Sequence, residues 1–415
     1  MDKEIKERIA AINSGIIPEG YKKTKVGIVP VEWEIVKLAN IMHNEPRPVD
    51  KPNEPYIRIG IRSHAKGTFQ ELVENPAEVN MDTLYVVKKD DIVVNITFAW
   101  EHAIALASEE DDGKLVSHRF PTYVFDNNSP LYYKYVFCQD MFRQRLELIS
   151  PGGAGRNRVL NKTDFINLEI YHPPLPEQQK IAEILSTQDK LIELQEKKIE
   201  QLKELKKAYL QKMFPKKGSK YPELRFKGFT DAWEQRKFSD LAQRESAVEV
   251  SSPDCPSVEY EDVIVEEGRL NKDIRLKETQ KTGIKFDGTQ VLYGKLRPYL
   301  HNWLNPDFTG VAVGDWWVLR PICIDKDYLY RLIQTKQFDD VANQSAGSKM
   351  PRADWNLISN TEFFVPISME EQGKIAQAFT NLDTLITLHQ RKSEQEKQKK
   401  KALMQLLLTG IVRTK

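Results

Sequence analysis

The three cysteines of this 415-residue chain, Cys138, Cys255 and Cys323, lie too far apart to form any CxxC pair. That spacing argues against a thiolate zinc site and against a disulfide framework, and makes a reducing cytoplasm the expected home. No stretch approaches the roughly 20 apolar residues that span a bilayer. The opening MDKEIKERIAAINSG is charged and helix-like, with no apolar signal core, so no membrane partner is expected. Catalytic machinery is missing too. There is no GxxxxGK[ST] phosphate loop, no GxGxxG turn and no Asn-Pro-Pro-aromatic signature. Gly152-Gly153-Ala154-Gly155 follows Ser150-Pro151 in a polar loop, which is a poor setting for a nucleotide cradle. Seven histidines are scattered without ligand spacing, so neither a catalytic nor a metal centre is expected. Finally, neither sign of charge prevails: 61 Lys and Arg oppose 60 Asp and Glu, a net charge of +1. Nucleic-acid-binding domains are usually strongly basic. A DNA binder with this composition must gather its cations locally or share the grip with a partner.

What the chain does have is an internal repeat. YKKTKVGIVPVEWEIVKL from Tyr21 aligns with YPELRFKGFTDAWEQRKF from Tyr221, placing Tyr21, Trp33 and Lys37 over Tyr221, Trp233 and Lys237, 200 residues on. PEQQKIAEIL from Pro176 aligns with EEQGKIAQAF from Glu370 at an offset of 194, with Asp189 over Asp383. Between these markers each copy reads as β-rich runs broken by Gly, Asp and Pro, then a short helix, then a polar glycine loop. Asp164 and Asp354 close the two loops just before the last strand.

A long helix follows each copy. Ile181, Leu185, Gln188, Ile192, Gln195, Ile199, Leu202, Lys206, Tyr209 and Met213 alternate by four and three, a heptad seam. Ile375, Phe379, Leu382, Ile386, His389, Ser393, Glu396, Lys400, Leu403 and Leu407 repeat it with a polar middle. At 1.5 Å per residue such helices are roughly 55 to 60 Å long. The expected helix–helix contacts are Ile181, Leu185, Ile192, Ile199 and Leu202 with Ile375, Phe379, Leu382, Ile386 and Leu403. Pairing should be good at the ends of the second helix and poor at its centre. Leu191, Leu194 and Leu205 lie off the seam and suggest a second apolar contact.

Two EQQKIA-type motifs, each after a β-rich domain opened by GIVPVEWEIVKL or FKGFTDAWEQRKF, resemble the specificity subunits of type I restriction–modification enzymes. The resemblance runs from about Tyr21 to Gly410. The local departure is Met369-Glu370-Glu371 in place of Leu175-Pro176-Glu177, which predicts a less sharp start to the second helix. The implied fold is α+β: two pseudo-repeated β-rich α/β target-recognition domains separated by two long helices in an antiparallel coiled coil. The expected boundaries are an N-terminal helical extension at 1–20, domains at 21–173 and 215–366, helices at 174–214 and 367–410, and a tail at 411–415. The resemblance implies a non-catalytic subunit whose domains each read one half of a bipartite, asymmetric site in double-stranded DNA. The helices would set the gap and dock two methyltransferase subunits, and motor-nuclease subunits would join that core. S-adenosylmethionine, ATP and Mg would then belong to partners and no cofactor to this chain. A self-sufficient restriction–modification enzyme and a protein-only coiled-coil scaffold are the alternatives.

Base edges are read by Arg and Lys on guanine and by Asn and Gln on adenine. In the first domain the candidates are Arg58, Arg62 and Lys66, on a strand and its turn, with Arg156, Asn157 and Arg158 in the glycine loop. In the second they are Lys295, Arg297, His301, Lys349 and Arg352, with Lys295 and Arg297 on one face of an extended segment. Tyr299 and Trp303 could stack on bases or meet thymine methyls, but the core is the expected place for them, as it is for Trp316 and Trp317.

Overall fold

The computed structural model describes residues 3–25, 27–152, 158–216, 218–277, 279–344 and 350–414. They fall into two compact units, Met1–Glu193 with Glu394–Lys415, and Leu194–Ser393. Each unit is one β-rich module closed by the start of one long helix and the end of the other.

In the first module a four-stranded antiparallel sheet takes the order Ile104–Leu106, Ile92–Val94, Thr122–Phe125, Met42–Asn44. Beside it a five-stranded sheet runs Pro48–Asp50, Thr83–Val86, Leu115–Val116, Tyr56–Ile61, Thr68–Val73, with one parallel pairing, Leu115 to Arg58. The opening strand Glu34–Lys37 pairs antiparallel with the closing strand Glu169–His172. The second module repeats the plan. Its four-stranded sheet is Ala242–Arg244, Trp316–Pro321, Val291–Gly294, Trp303–Leu304, and Glu234–Lys237 pairs with Glu362–Val365. The counterpart of the five-stranded sheet keeps four strands, with Ser257–Val258 parallel to Gly310–Ala312, while the hairpin Val263–Ile264 with Arg269–Leu270 stands apart. Short β-branched and aromatic runs bounded by turns give these strands, because such side chains pack well on a pleated, half-buried surface.

The repeated EQ pair has a physical role in both units. Glu177 is buried and accepts the indole N–H of Trp33 at 2.9 Å, while Arg413 grips it from two nitrogens at 2.7 and 2.8 Å. Glu371, equally buried, accepts from Trp233 at 3.3 Å and from Arg225 at 2.7 and 2.9 Å. The neighbouring amide caps a module helix: Ser129 N donates to Gln178 Oε1 at 3.0 Å, and Asp325 N to Gln372 Oε1 at 2.8 Å. A buried carboxylate is tolerated only when paired and hydrogen-bonded, so the motif works as a socket joining helix start, opening Trp and a returning arginine. Gly410 comes close to this socket in the first unit. Its φ is +71°, and a Cβ there would stand 2.6 Å from Pro30 Cδ.

The long helices span Leu175–Lys212 and Met369–Leu407. The second starts cleanly despite lacking the proline, because Ser368 Oγ accepts from Glu371 N at 3.3 Å. In the first unit Ile181 and Leu185 share a core with Leu407 and the flanking Leu403. In the second, Ile375 and Phe379 join Met213 and Phe214, while Leu202, Leu382 and Ile386 form a cluster flanked by Ile199. Ile192 is also buried. Within each unit the helix segments run antiparallel. The polar middle of the second helix pairs through hydrogen bonds rather than poorly: Gln188 Nε2 donates to Glu396 Oε2 at 2.5 Å in one unit, and His389 Nδ1 lies 2.7 Å from Gln195 Oε1 in the other. The off-seam Leu191, Leu194 and Leu205 are all exposed.

Candidate nucleic-acid interface

The two modules share a backbone frame around the glycine loop. In the first, Asn95 N donates to Ala103 O (3.0 Å), Ile96 N to Arg119 O (3.0 Å) and Leu160 N to Ile96 O (2.8 Å). In the second, Gly294 N donates to Asn302 O (2.8 Å), Lys295 N to Asp315 O (2.9 Å) and Ala353 N to Lys295 O (2.8 Å). Short 3-10 turns follow at Ala99–Glu101 and Pro298–Leu300, each ending on a left-handed histidine, His102 (φ 66°) and His301 (φ 54°). Each loop then enters a short helix, Lys162–Ile166 or Trp355–Asn360, capped by Asn161 or Asp354. Asp354 therefore matches Asn161, not Asp164, which sits inside the first turn. Neither aspartate directly precedes the last strand, because a helix intervenes.

The candidates of the second module converge only in part. Arg352 donates to both oxygens of Asp315 at 3.1 and 2.9 Å, and Lys295 Nζ lies 3.6 Å from the same carboxylate. Those hydrogen bonds, Arg352 first, hold the Asp315 carboxyl below its ordinary range. Arg297 adjoins them, its N–H donating to Pro351 O at 2.7 Å, but its φ of 48° breaks the extended segment that would have set it beside Lys295. Tyr299, expected in the core, is 53% exposed, whereas Trp303, Trp316 and Trp317 are buried. His301 turns elsewhere. Its ring nitrogens meet Asp339 at 3.0 Å and Glu266 at 3.2 Å, it stacks on Trp303, and it lines a cavity of about 700 Å³. The hydrogen bond to Asp339, with help from Glu266, raises its pKa against the opposing effect of burial.

In the first module Arg158 pairs with Glu147 at 3.2 Å and lies over the Trp100 ring. Arg156, Asn157 and Lys349 lie outside the described residues. The strand group is separate from the loop group. Arg58 pairs with Glu71 at 2.7 Å, and Arg62 donates to Thr68 O and covers the Phe69 ring. Lys66 lines a cavity of about 390 Å³ that is lined also by Asp189 and Lys400 of the helices. Sequence reasoning missed Arg119 and Asp315. Arg119 O accepts from Ile96 N, whose own carbonyl takes the N–H of Leu160, and nothing local in the sequence marks that long-range placement. Among the described residues no group of three or more His, Cys, Asp or Glu is gathered as a metal site.

Residues 30–204 and 231–398 each match the type I restriction modification DNA specificity domain. The chain belongs to that family. Its two specificity domains thus coincide with the two structural repeats. The chain is 24% identical over 439 aligned residues to the type I restriction enzyme MjaVIII specificity subunit of Methanocaldococcus jannaschii, covering 96% of this chain and 97% of that one. It is 23% identical over 438 residues to the putative type I restriction enzyme MjaX specificity subunit of the same organism, with the same coverage. Among solved structures, the S subunit of a type I restriction–modification system from M. genitalium superposes with a TM-score of 0.54 at 15% identity, over 92% of this chain and 96% of that one. A chain from a study of complex assembly and conformational transition of the type I R-M system gives 0.54 and 15% over 92% and 99%. These likenesses establish the fold: paired specificity domains with two long helices. Among the described residues no helix is long and apolar enough to cross a membrane.

Proposed function

We propose that this chain is the non-catalytic DNA-reading subunit of a type I restriction–modification complex. Each specificity domain reads one half of a bipartite, asymmetric target in double-stranded DNA. The long helices set the gap between halves and dock two methyltransferase subunits, and motor-nuclease subunits join that core. S-adenosylmethionine, ATP and Mg are held by those partners, and the complex works in the cytoplasm.

The observation that carries this reading is the doubled frame with exchanged chemistry. Both domains keep the same three backbone hydrogen bonds up to Leu160 or Ala353, yet the side chains mounted there differ. Two readers of different half-sites need such an arrangement, since phosphate contacts position while side chains on base edges specify. The near-neutral net charge fits a subunit that shares its hold on DNA with partners.

Co-expression with cognate methyltransferase subunits, followed by genome-wide mapping of methylated adenines, tests it. A split motif should appear only when this chain is present. Methylation by the purified chain alone, or a methylation pattern that ignores it, would refute the proposal.

A further inference from the structure

The domains expose two sets of cations, one on the Tyr56–Val73 hairpin and one at the glycine-loop frame, and the structure distinguishes them. On the hairpin, Arg58 is engaged by Glu71, Arg62 by Thr68 and Phe69, and Lys66 faces a cavity backed by the helices. The frame instead carries matched positions with unlike side chains, of which Arg119, Val159 and Arg352 are exposed. Ile96 matches Lys295, Arg119 matches Asp315, and Val159 matches Arg352, by the backbone hydrogen bonds that tie 96, 119 and 160 on one side and 295, 315 and 353 on the other.

The charge at this junction has changed places between domains. In the second, two cations flank one carboxylate, and Asp315 holds the Arg352 guanidinium flat and bidentate. In the first, the strand-end and loop positions are apolar and the cation stands at 119. Arg119 is exposed, and among the described residues its guanidinium has no partner. Arg297 adds a second sign. It occupies the left-handed region at φ 48°, where glycine would cost less, and a strained non-glycine residue persists where its side chain is needed.

We propose that this junction is the base-reading surface of each domain, that Arg119 is the specificity-determining cation of the first, and that Asp315 is a positioning residue for Lys295 and Arg352 in the second. A free guanidinium fork suits the O6 and N7 edge of guanine. The inference rests on the domains being DNA readers and adds where in each domain the reading is done.

The test uses the assembled complex with its methyltransferase subunits, read out as mapped methylated adenines. Arg119→Gln should relax one base position of the first half-site, with roughly 10- to 100-fold loss of discrimination there, and leave the second half-site intact. Arg119→Lys, which keeps the charge but loses the fork, should relax the same position less. Arg58→Gln and Lys66→Gln should leave both motifs unchanged. Asp315→Asn should relax the second half-site only, Asp315→Glu should restore it, and the thermal melting of both variants should match the parent. An unaltered first half-site in Arg119→Gln, or relaxation by the hairpin variants instead, overturns the assignment while DNA reading stands. A parent complex that yields no split motif overturns the underlying function.

Discussion

Arg413 and Glu177 show how much rests on single side chains. Burial alone would raise the Glu177 carboxyl, but hydrogen bonds from Arg413 and Trp33 outweigh it and hold the group below its ordinary value. A depressed folded pKa means that the contribution is complete above about pH 4.5 and is lost as the pH falls through the folded value. Arg413→Ala leaves the buried carboxylate with the indole as its main partner, and should cost about 3 kcal/mol. Thermal melts at pH 7 should show that loss, and the variant should have a shallower decline below pH 4.5 than the parent. His301 has the opposite sign. Its folded pKa is raised, so its ion pairs with Asp339 and Glu266 stabilise fully below about pH 6.5 and fade as the pH climbs through the folded value. Melting of the parent should therefore drop between pH 6 and 8 by more than that of His301→Gln; equal slopes would remove the histidine from the account. Residue identity in these places was legible only as repetition. The sequence marks Glu177 and Glu371 as a matched pair, but the arginines that meet them, Arg413 and Arg225, follow their helices at different distances and share no motif.

At the scale of elements, the heptad positions Ile181, Leu185, Leu202, Phe379 and Ile386 are buried, while Ile199 and Leu403 are partly so. Spacing says nothing about polar side chains finding each other across the seam, which is why the middle of the second helix looked weak and is instead bridged by Gln188, Gln195, His389 and Glu396. The strands were readable as β-rich runs. Their order was not, because parallel pairs such as Ser257–Val258 with Gly310–Ala312 join segments far apart in the chain. Each module is also pinned to its helices by a geometry that occurs twice in the chain. Asp189 takes Tyr135 (2.7 Å) and Lys400 (2.5 Å), and Asp383 takes Arg331 (2.6 Å) and Lys206 (2.7 Å). Arg331 and Lys206 are mostly buried, so Asp383→Asn leaves two cations short of a counter-charge, and denaturant unfolding should show a loss of about 3 kcal/mol. Asp189→Asn, which strands only one cation, should lose less.

For the whole molecule, the proposed ruler role of the helices has a sharp test. Four helix-forming residues inserted between Glu196 and Lys197 lengthen the first long helix by about 6 Å and rotate its C-terminal part by about 40°. One base pair of B-DNA rises about 3.4 Å and turns by roughly 35°. The mapped methylation motif should keep both half-sites and gain about one base pair between them, and an unchanged gap with full activity would deny the helices that role. The socket at Glu177 carries a different consequence. The residue that completes it, Arg413, comes from the far end of the sequence, where Arg8 donates to Ile411 O and Tyr21 to Gly410 O, both at 2.8 Å. At Glu371 the same job falls to Arg225, in the middle of the sequence. Two sockets of one design are thus closed by arginines that reach them from opposite directions along the chain, Arg413 from beyond its glutamate and Arg225 from before it.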